Sequence, residues 1–383
     1  KCGLRVETPG LLRVESEAEW AGFGACVGSG DADWPLTPDP TPPRKQGRGE
    51  QERFIMRESQ PVILGIEIGG TKLQLGVGRG DGSPPVEIVR RDIVIANGAQ
   101  GILEQIRAAG SELAARHAIQ AIGIGFGGPV NPHTRRVIKS HQVSGWDDFP
   151  LAEWCERLWG VRTLIGNDCD CAALAEALDG AGQGSHCVFY VTVGTGIGGG
   201  LVIGGRLHGA GRPAVAEIGH LRPGPTCVDA EATVESFASG PGLAHHAVRH
   251  LRKVLETPAA LESETKLRRE AAALLQDGED RVTAKRLADF ADAGNKLAQQ
   301  LLDEALQVLG WGIAQVITLV APQTIVVGGG VSLMGEPRFY TPLRRHVDRY
   351  VFPPLRNSYQ IIPPAFGESV VVQGAIRLPS QQG

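Results

Sequence analysis

The order of elements in this sequence predicts an α/β protein of two lobes. Three observations carry that reading. Strands, a helix, a strand and a helix follow one another in that order twice along the chain. Four glycine-rich turns each follow an apolar run rich in β-branched residues. The turns are spread along the chain rather than gathered in one tract: Glu67-Ile68-Gly69-Gly70-Thr71-Lys72, Gly125–Pro129, Gly194–Gly200 and Gly328-Gly329-Gly330. They are strand ends where backbone must come close to something, which glycine permits because it has no Cβ and tolerates positive φ. Several such turns on one chain point to a nucleotide held between two lobes, and so to phosphoryl transfer.

The composition agrees with a soluble globular chain. Its 383 residues are enough for two domains, 42% are hydrophobic and 21% charged. A formal net charge of −4 gives no electrostatic case for nucleic acid or an anionic membrane. The apolar runs are strand-length and far short of a membrane span. The seven cysteines are scattered, and reduced thiols in a cytoplasmic protein are expected. The 52 glycines exceed ordinary usage and sit at the ends of apolar runs, so they mark turns.

Residues 1–60 stand apart. A proline-rich stretch, Pro38-Asp39-Pro40-Thr41-Pro42-Pro43, precedes a charged run, and neither has a sustained period. Met56 is read as the start of the native protein and the preceding segment as a disordered or untranslated leader; a flexible native leader is the alternative. From Pro61 onward strands are expected at Val62–Ile68, 73–78 and 86–95, then a helix over 100–118 with Ile102, Leu103, Ile106 and Leu113 as its apolar stripe. A buried strand at 121–126, a helix at 151–158, a short strand at 163–165 and a helix at 169–178 follow. Cys187–Val193 and 200–203 form a hairpin around the third glycine turn. A helical block covers 242–256, Glu262–Leu275, 284–293 and 296–319. A strand at 324–327 and a helix at 370–378 close the chain. The small lobe is expected from 61–166 with 366–383, and the large lobe from 167–365.

The first turn lies in a hairpin and lacks the following helix and glycine spacing of a Walker loop. The N–H groups of Gly69, Gly70 and Thr71 can form an anion nest, with Glu67 orienting metal-bound water; a plain tight hairpin is the alternative. The third turn, with Thr192 and Thr195 beside its glycines, carries an entropic cost that phosphate contact would explain. Asn167-Asp168 joins a short strand to an alanine-rich helix, so Asp168 is either a helix cap or a general base for an attacking hydroxyl. Glu217-Ile218-Gly219-His220 and Glu235 add the carboxylates and imidazole that a sugar site needs.

Together these residues resemble the ROK (repressor, open reading frame, kinase) family of sugar kinases. The resemblance runs from about Val62 to Leu378 and rests on Ile66–Lys72, Gly125–Pro129, Asn167-Asp168, Gly194–Gly200, Glu217–His220, Glu235 with Ser239–Gly242, and Ile325–Gly330. It implies an actin-like, ribonuclease-H-like fold closing over ATP, Mg²⁺ and a hexose, with the active site in the interlobe cleft. By position Asp168 is then the base toward the sugar hydroxyl, at C6 of glucose. Gly127, Gly128, Asn167, Glu217, His220 and Glu235 bind the sugar. Gly69, Gly70, Thr71, Lys72, Gly194, Thr195, Gly196 and Gly198 hold phosphates, and Gly328, Gly329 and Gly330 face the adenosine. The helices between 242 and 319 are a candidate homodimer face.

Three departures from the family pattern matter. Glu67 stands where many relatives have Asp, and the extra methylene keeps the carboxylate but moves it, which changes the metal geometry. The cysteine-rich zinc motif before Glu235 is reduced to Cys227, so no structural zinc is expected and packing or Asp229 must orient His220. Asp170 puts a like charge near Asp168, which is expected to raise the Asp168 pKa. The family's repressors carry an N-terminal helix-turn-helix, and residues 1–60 show no pair of amphipathic helices, which argues against DNA binding. A catalytically silent sugar-binding protein is the remaining alternative, and Asp168 argues against it.

Overall fold

The hydrophobic strand β1 (Val62–Ile68), with six of its seven residues buried, is the centre of the first half of the molecule. The computed structural model describes residues 62–381 except 141, 210, 211, 213, 225, 226, 228, 259 and 260. The expectations for residues 1–60, the choice of Met56 included, lie outside the described residues. After β1 come β2 (Lys72–Gly78), β3 (Glu87–Asp92), α1 (Gly98–Arg116), β4 (Ile119–Phe126), a small ribbon of β5 (Val130–Asn131) and β6 (Arg136–Val137), α2 (Leu151–Trp159) and β7 (Arg162–Asn167). They form a sheet of order β3-β2-β1-β4-β7, antiparallel on the β2 side and parallel on the β4 side. Two-residue hairpin turns can join only antiparallel strands, and the parallel pairs need crossovers; α1 and α2 supply them.

The connecting helix α3 (Asp168–Leu178) leads into the second half. There β8 (Cys187–Val193), β9 (Ile197–Ile203) and β10 (Arg206–Leu207) precede five helices: α4 (Val234–Ala238), α5 (Gly240–Glu256), α6 (Glu262–Leu275), α7 (Ala284–Asp292) and α8 (Lys296–Val320). Then follow β11 (Thr324–Gly328), α9 (Thr341–Tyr350), β12 (Gln360–Ile362) and α10 (Val370–Arg377). The second sheet has the order β10-β9-β8-β11-β12, again with an antiparallel hairpin on one side of its first strand and parallel strands on the other. The strand order of the first sheet is thus repeated.

Each sheet has its own core. Ile102, Ile106 and Leu113 of α1 pack with Leu64, Ile66 and Ile124 of the first sheet, the stripe expected from sequence. Trp146 joins this core, edge-on at 5.3 Å to both Phe126 and Phe149, and so pins the loop before α2. The second core sets Phe189, Val191 and Val327 against Leu243, Leu301, Ile313 and Leu343 of the helical block. Between the sheets α3 packs on α10. A Cβ built on Gly374 of α10 would fall 1.7 Å from the Cys171 carbonyl of α3, so the backbones touch and only glycine fits.

Several expectations are corrected. The second strand of the third-turn hairpin starts at Ile197, so Gly198, Gly199 and Gly200 belong to the ladder, opposite Thr192, Val191 and Tyr190. Their smallness has an internal cause: a Cβ on Gly200 would meet the Cys169 carbonyl at 2.5 Å, because α3 lies directly on β9. β7 extends to Asn167, which pairs with Phe126. Strand β12 and helices α4 and α9 were not expected. α9 buries Leu343, His346 and Val347 amid charged neighbours, and β12 is three residues long, so neither leaves a clear period. Among the described residues no helix is long and apolar enough to cross a membrane.

Candidate active site at the carboxyl ends of the strands

Parallel pairing fixes what stands side by side. β1, β4 and β7 are in register at Ile68, Phe126 and Asn167, so the residues that leave them, Gly69, Gly127 and Asp168, emerge together. The carboxyl ends of parallel strands are where open α/β sheets bind ligands. Gly127 N–H donates to the Ile68 carbonyl at 2.8 Å, locking the second glycine turn beside the first. Asn167 caps α3: its Oδ1 accepts from Cys169 N–H at 2.8 Å while its Nδ2 donates to the Gly128 carbonyl at 3.2 Å. Asn167, not Asp168, is therefore the N-cap. Asp168 is the first helical residue. Its Oδ1 shares the Cys169 N–H, and a Cβ placed on Gly127 would meet its Oδ2 at 3.3 Å.

Burial dominates the electrostatics here. It raises the Asp168 pKa above the ordinary carboxylate value, opposed by hydrogen bonds at the helix start. Asp170 rises to about 7, again mainly by burial and then by the charges of Asp168 and Glu217. Burial heads the causes of the Asp168 rise, and the neighbouring charges of Asp168 and Asp170 disfavour ionisation of both together. Glu67 is also lifted to about 7 by burial, against the pull of Lys72 at 3.1 Å; the Asp168 charge pushes the same way as burial. Lys72 Nζ also donates to the Glu368 carbonyl at 3.2 Å, tying the first turn to the segment before α10. Thr71 is exposed, and Gly70 lies under the side chain of Gln142, whose Oε1 would be 1.4 Å from a Cβ there.

The second sheet repeats the pattern with backbone alone. β8 and β11 are in register at Thr192 and Gly328, so the third and fourth glycine turns leave adjacent strands. Gly329, at φ +91°, leans on Val193: a Cβ would fall 2.5 Å from its carbonyl oxygen. Gly194 N–H closes the third turn onto the Gly196 carbonyl at 2.9 Å, with Thr195 exposed at its tip. Gly194 and Gly330 have no heavy atom within 4 Å of where a Cβ would be, so both face open space.

The third turn is held from outside by the corner between α4 and α5. Glu235 Oε2 accepts from Ile197 N–H at 2.7 Å, and Gly240 N–H donates to the Gly194 carbonyl at 2.8 Å. A Cβ on Gly196 would crowd that Glu235 oxygen at 2.6 Å, so the glycine admits the carboxylate. Glu235, expected on the sugar, therefore also organises the third turn. Gly198 faces the Cys169 thiol, 2.6 Å from its would-be Cβ, which puts this strand beside the start of α3.

Glu217 and His220 complete the cluster. Partial desolvation raises the Glu217 pKa, His220 opposes it, and the charges of Asp168 and Glu235 add to the rise, so all four expected side chains share one field. Asp229 does not orient His220: its Oδ1 accepts from Glu231 N–H at 2.9 Å, and among the described residues no hydrogen bond joins it to His220. Gln142 over the first turn carried no sequence signal. A separate hollow of about 300 Å³ beside α8 and α9, lined by Gln299, Asp303, Arg338 and Arg345 among others, contains none of these residues.

Comparison with known proteins follows the same lines. The sequence profile of the ROK family matches residues 63–382. A glucokinase from Halalkalibacterium halodurans is 30% identical over 332 residues, 83% of this chain and 95% of that protein. A beta-glucoside kinase from Listeria innocua is 30% identical over 286 residues, 74% of this chain and 87% of that protein. The crystal structure of a ROK family glucokinase from Streptomyces griseus, in complex with glucose and AMPPNP, superposes with a TM-score of 0.67. It is 28% identical and covers 83% of this chain and 98% of its own.

Proposed function

The chain belongs to the ROK family, and on that premise we propose that it is an ATP-dependent hexose kinase that phosphorylates glucose at C6. Its fold is the actin-like, ribonuclease-H-like fold of the sugar kinases it resembles. The observation that carries the activity is Asp168, at the meeting of the second glycine turn and the start of α3, with a pKa raised by burial. A general base works best when its pKa approaches the operating pH. In the proposed reaction Asp168 accepts the proton of the sugar hydroxyl. That oxygen bonds to the terminal phosphorus of ATP, and the bond from that phosphorus to the departing ADP oxygen breaks.

The remaining roles follow the geometry. Asn167, which donates to the Gly128 carbonyl, lines the sugar side with Gly127, Gly128, Glu217 and His220. Glu235 serves both sides, since it steadies the third turn through Ile197 N–H. Gly69–Lys72 and the open Gly194–Gly196 turn, with Gly198 behind it, cradle phosphates, and Gly328–Gly330 face the adenosine. Mg²⁺ would offset charge on the transferring phosphoryl group. The donor set fits a hard cation: Glu67 offers a carboxylate beside Asp168 and would hold the ion through water. We place the lobe boundaries at 166/167 and 365/366, with α3 and α10 between the sheets, in a cytoplasmic enzyme.

The test is ADP release from Mg-ATP with a panel of hexoses and phenyl β-glucoside, beside an Asp168→Ala control. Glucose-dependent release that the control lacks supports the proposal. Release with another sugar alone transfers the specificity to that sugar. Sugar binding without release would turn the reading to a sensor or silent binding protein.

A further inference from the structure

Away from the strand ends, α5 and α8 bring together three side chains that the kinase reading does not use. We propose that His246, His250 and Glu304 form a site for a zinc-type divalent metal ion. Positions four apart on a helix lie on one face, so α5 presents both imidazoles together. Glu304 comes from α8, and one ligand atom from each of the three lies within 4.8 Å of the others. His246 Nε2 is 3.2 Å from Glu304 Oε2. The other oxygen, Oε1, accepts from Gln300 Nε2 at 2.8 Å, the kind of outer partner that aims a metal-binding carboxylate.

A plain His–Glu hydrogen bond would account for His246 and Glu304. It does not account for His250, whose ring lies 6.4 Å from that of His246 and receives no hydrogen bond among the described residues. Two imidazoles and one carboxylate are a familiar three-ligand set for zinc, with the fourth position left to water. They are a poor set for Mg²⁺, which prefers oxygen and keeps its waters. All three groups are half-buried, so the ion would enter from solvent. It would join α5 to α8 and fix His246, against which Phe237 of α4 rests at 5.5 Å.

The experiment is a Zn²⁺ titration of chelator-stripped protein against a chromophoric competitor, with Co²⁺ absorption as a second readout. One equivalent is expected, unaffected by millimolar Mg²⁺ and retained in Cys227→Ser. The doubly substituted His246→Ala/His250→Ala protein should lose it, and Gln300→Ala should weaken it roughly tenfold. Circular dichroism checks folding; if the double variant unfolds, Glu304→Gln and His250→Gln are titrated instead and should each weaken binding at least tenfold. Absence of uptake would overturn the proposal. So would equal affinity in the histidine variants, displacement by Mg²⁺, or loss in Cys227→Ser.

Discussion

The two sheets share one wiring and differ in what they display at the same edge. Each begins with a hairpin, adds a third antiparallel strand, and continues with two parallel strands on the far side of the first. In the first half the excursion between the third and fourth strands holds one long helix, α1; in the second it holds the five helices α4 to α8. At the carboxyl edge the first sheet gathers Glu67, Lys72 and Asp168, with both carboxyls pushed upward by burial. The turns of the second sheet, Gly194–Gly196 and Gly328–Gly330, have no titratable side chain, and among the described residues the carboxylate they receive is that of Glu235 on the inserted helices. One scaffold thus presents buried carboxyls on one side and glycine turns without titratable side chains on the other. The charged groups of the first sheet lie on its own strands or directly after them, and only Glu235 comes from an insertion.

Substitutions at matched places can break that contrast. The largest effect is expected for Asp168→Asn: about a 10³-fold fall in kcat with glucose binding and fold retained, measured by steady-state kinetics beside calorimetric titration. Substantial residual turnover would move proton acceptance away from the first sheet. Next comes a glycine pair. Gly374→Ala, with a backbone carbonyl in the way, should lose roughly 3 kcal/mol in urea unfolding. Gly194→Ala, with open space ahead of it, should unfold like the parent but raise KM for ATP about tenfold. An unchanged KM would remove the cradle from the third turn.

Smaller effects sharpen the same comparison. Glu235→Gln weakens a charge-assisted hydrogen bond by roughly 1.5 kcal/mol, so kcat/KM for ATP should fall about tenfold. A change confined to the sugar KM would show that the Ile197 contact is idle. The smallest signal is a slope. The folded pKa of Asp170, about 7, lies above its ordinary value of 3.8. Between those values the native state keeps a proton that the unfolded chain has released, so stability falls as pH rises and levels off above pH 7. Asp170→Asn should flatten that fall by less than about 1.4 kcal/mol per pH unit, read from urea midpoints between pH 4 and 8. An identical slope in the variant would mean that Glu67 and its neighbours alone carry the titration.

Much of this was legible where the sequence repeats a period. β1, β4 and β8 are apolar runs followed by glycine-marked turns, and α8 carries a sustained helical period. What escaped is long-range. Nothing local distinguishes a capping Asp from a base, and only the pairing of Asn167 with both Cys169 and Gly128 makes Asn167 the cap, with Asp168 sharing the Cys169 N–H. Glu235 meets Ile197 across 38 residues, and His246 meets Glu304 across 58, so one member of each pair looks ordinary in sequence. The glycines of β9 also answer to contacts no local signal announces, with Gly198 and Gly200 set against Cys169 of α3 and Gly199 against the Ala216 carbonyl.

The contact between α3 and α10 sets the kind of motion the halves can make. With the Cys171 carbonyl where a methyl group on Gly374 would be, the two helices fit in one register only. Sliding α10 by a helical turn would bring the side chain of Val371 or Leu378, which share that face and already pack with Cys171, toward that oxygen, whereas turning about the crossing leaves it in place. The contact therefore opposes a slide of one helix along the other more than a turn about their crossing. For anyone redesigning this protein, that crossing is the part to leave alone, since no side chain larger than hydrogen fits at Gly374.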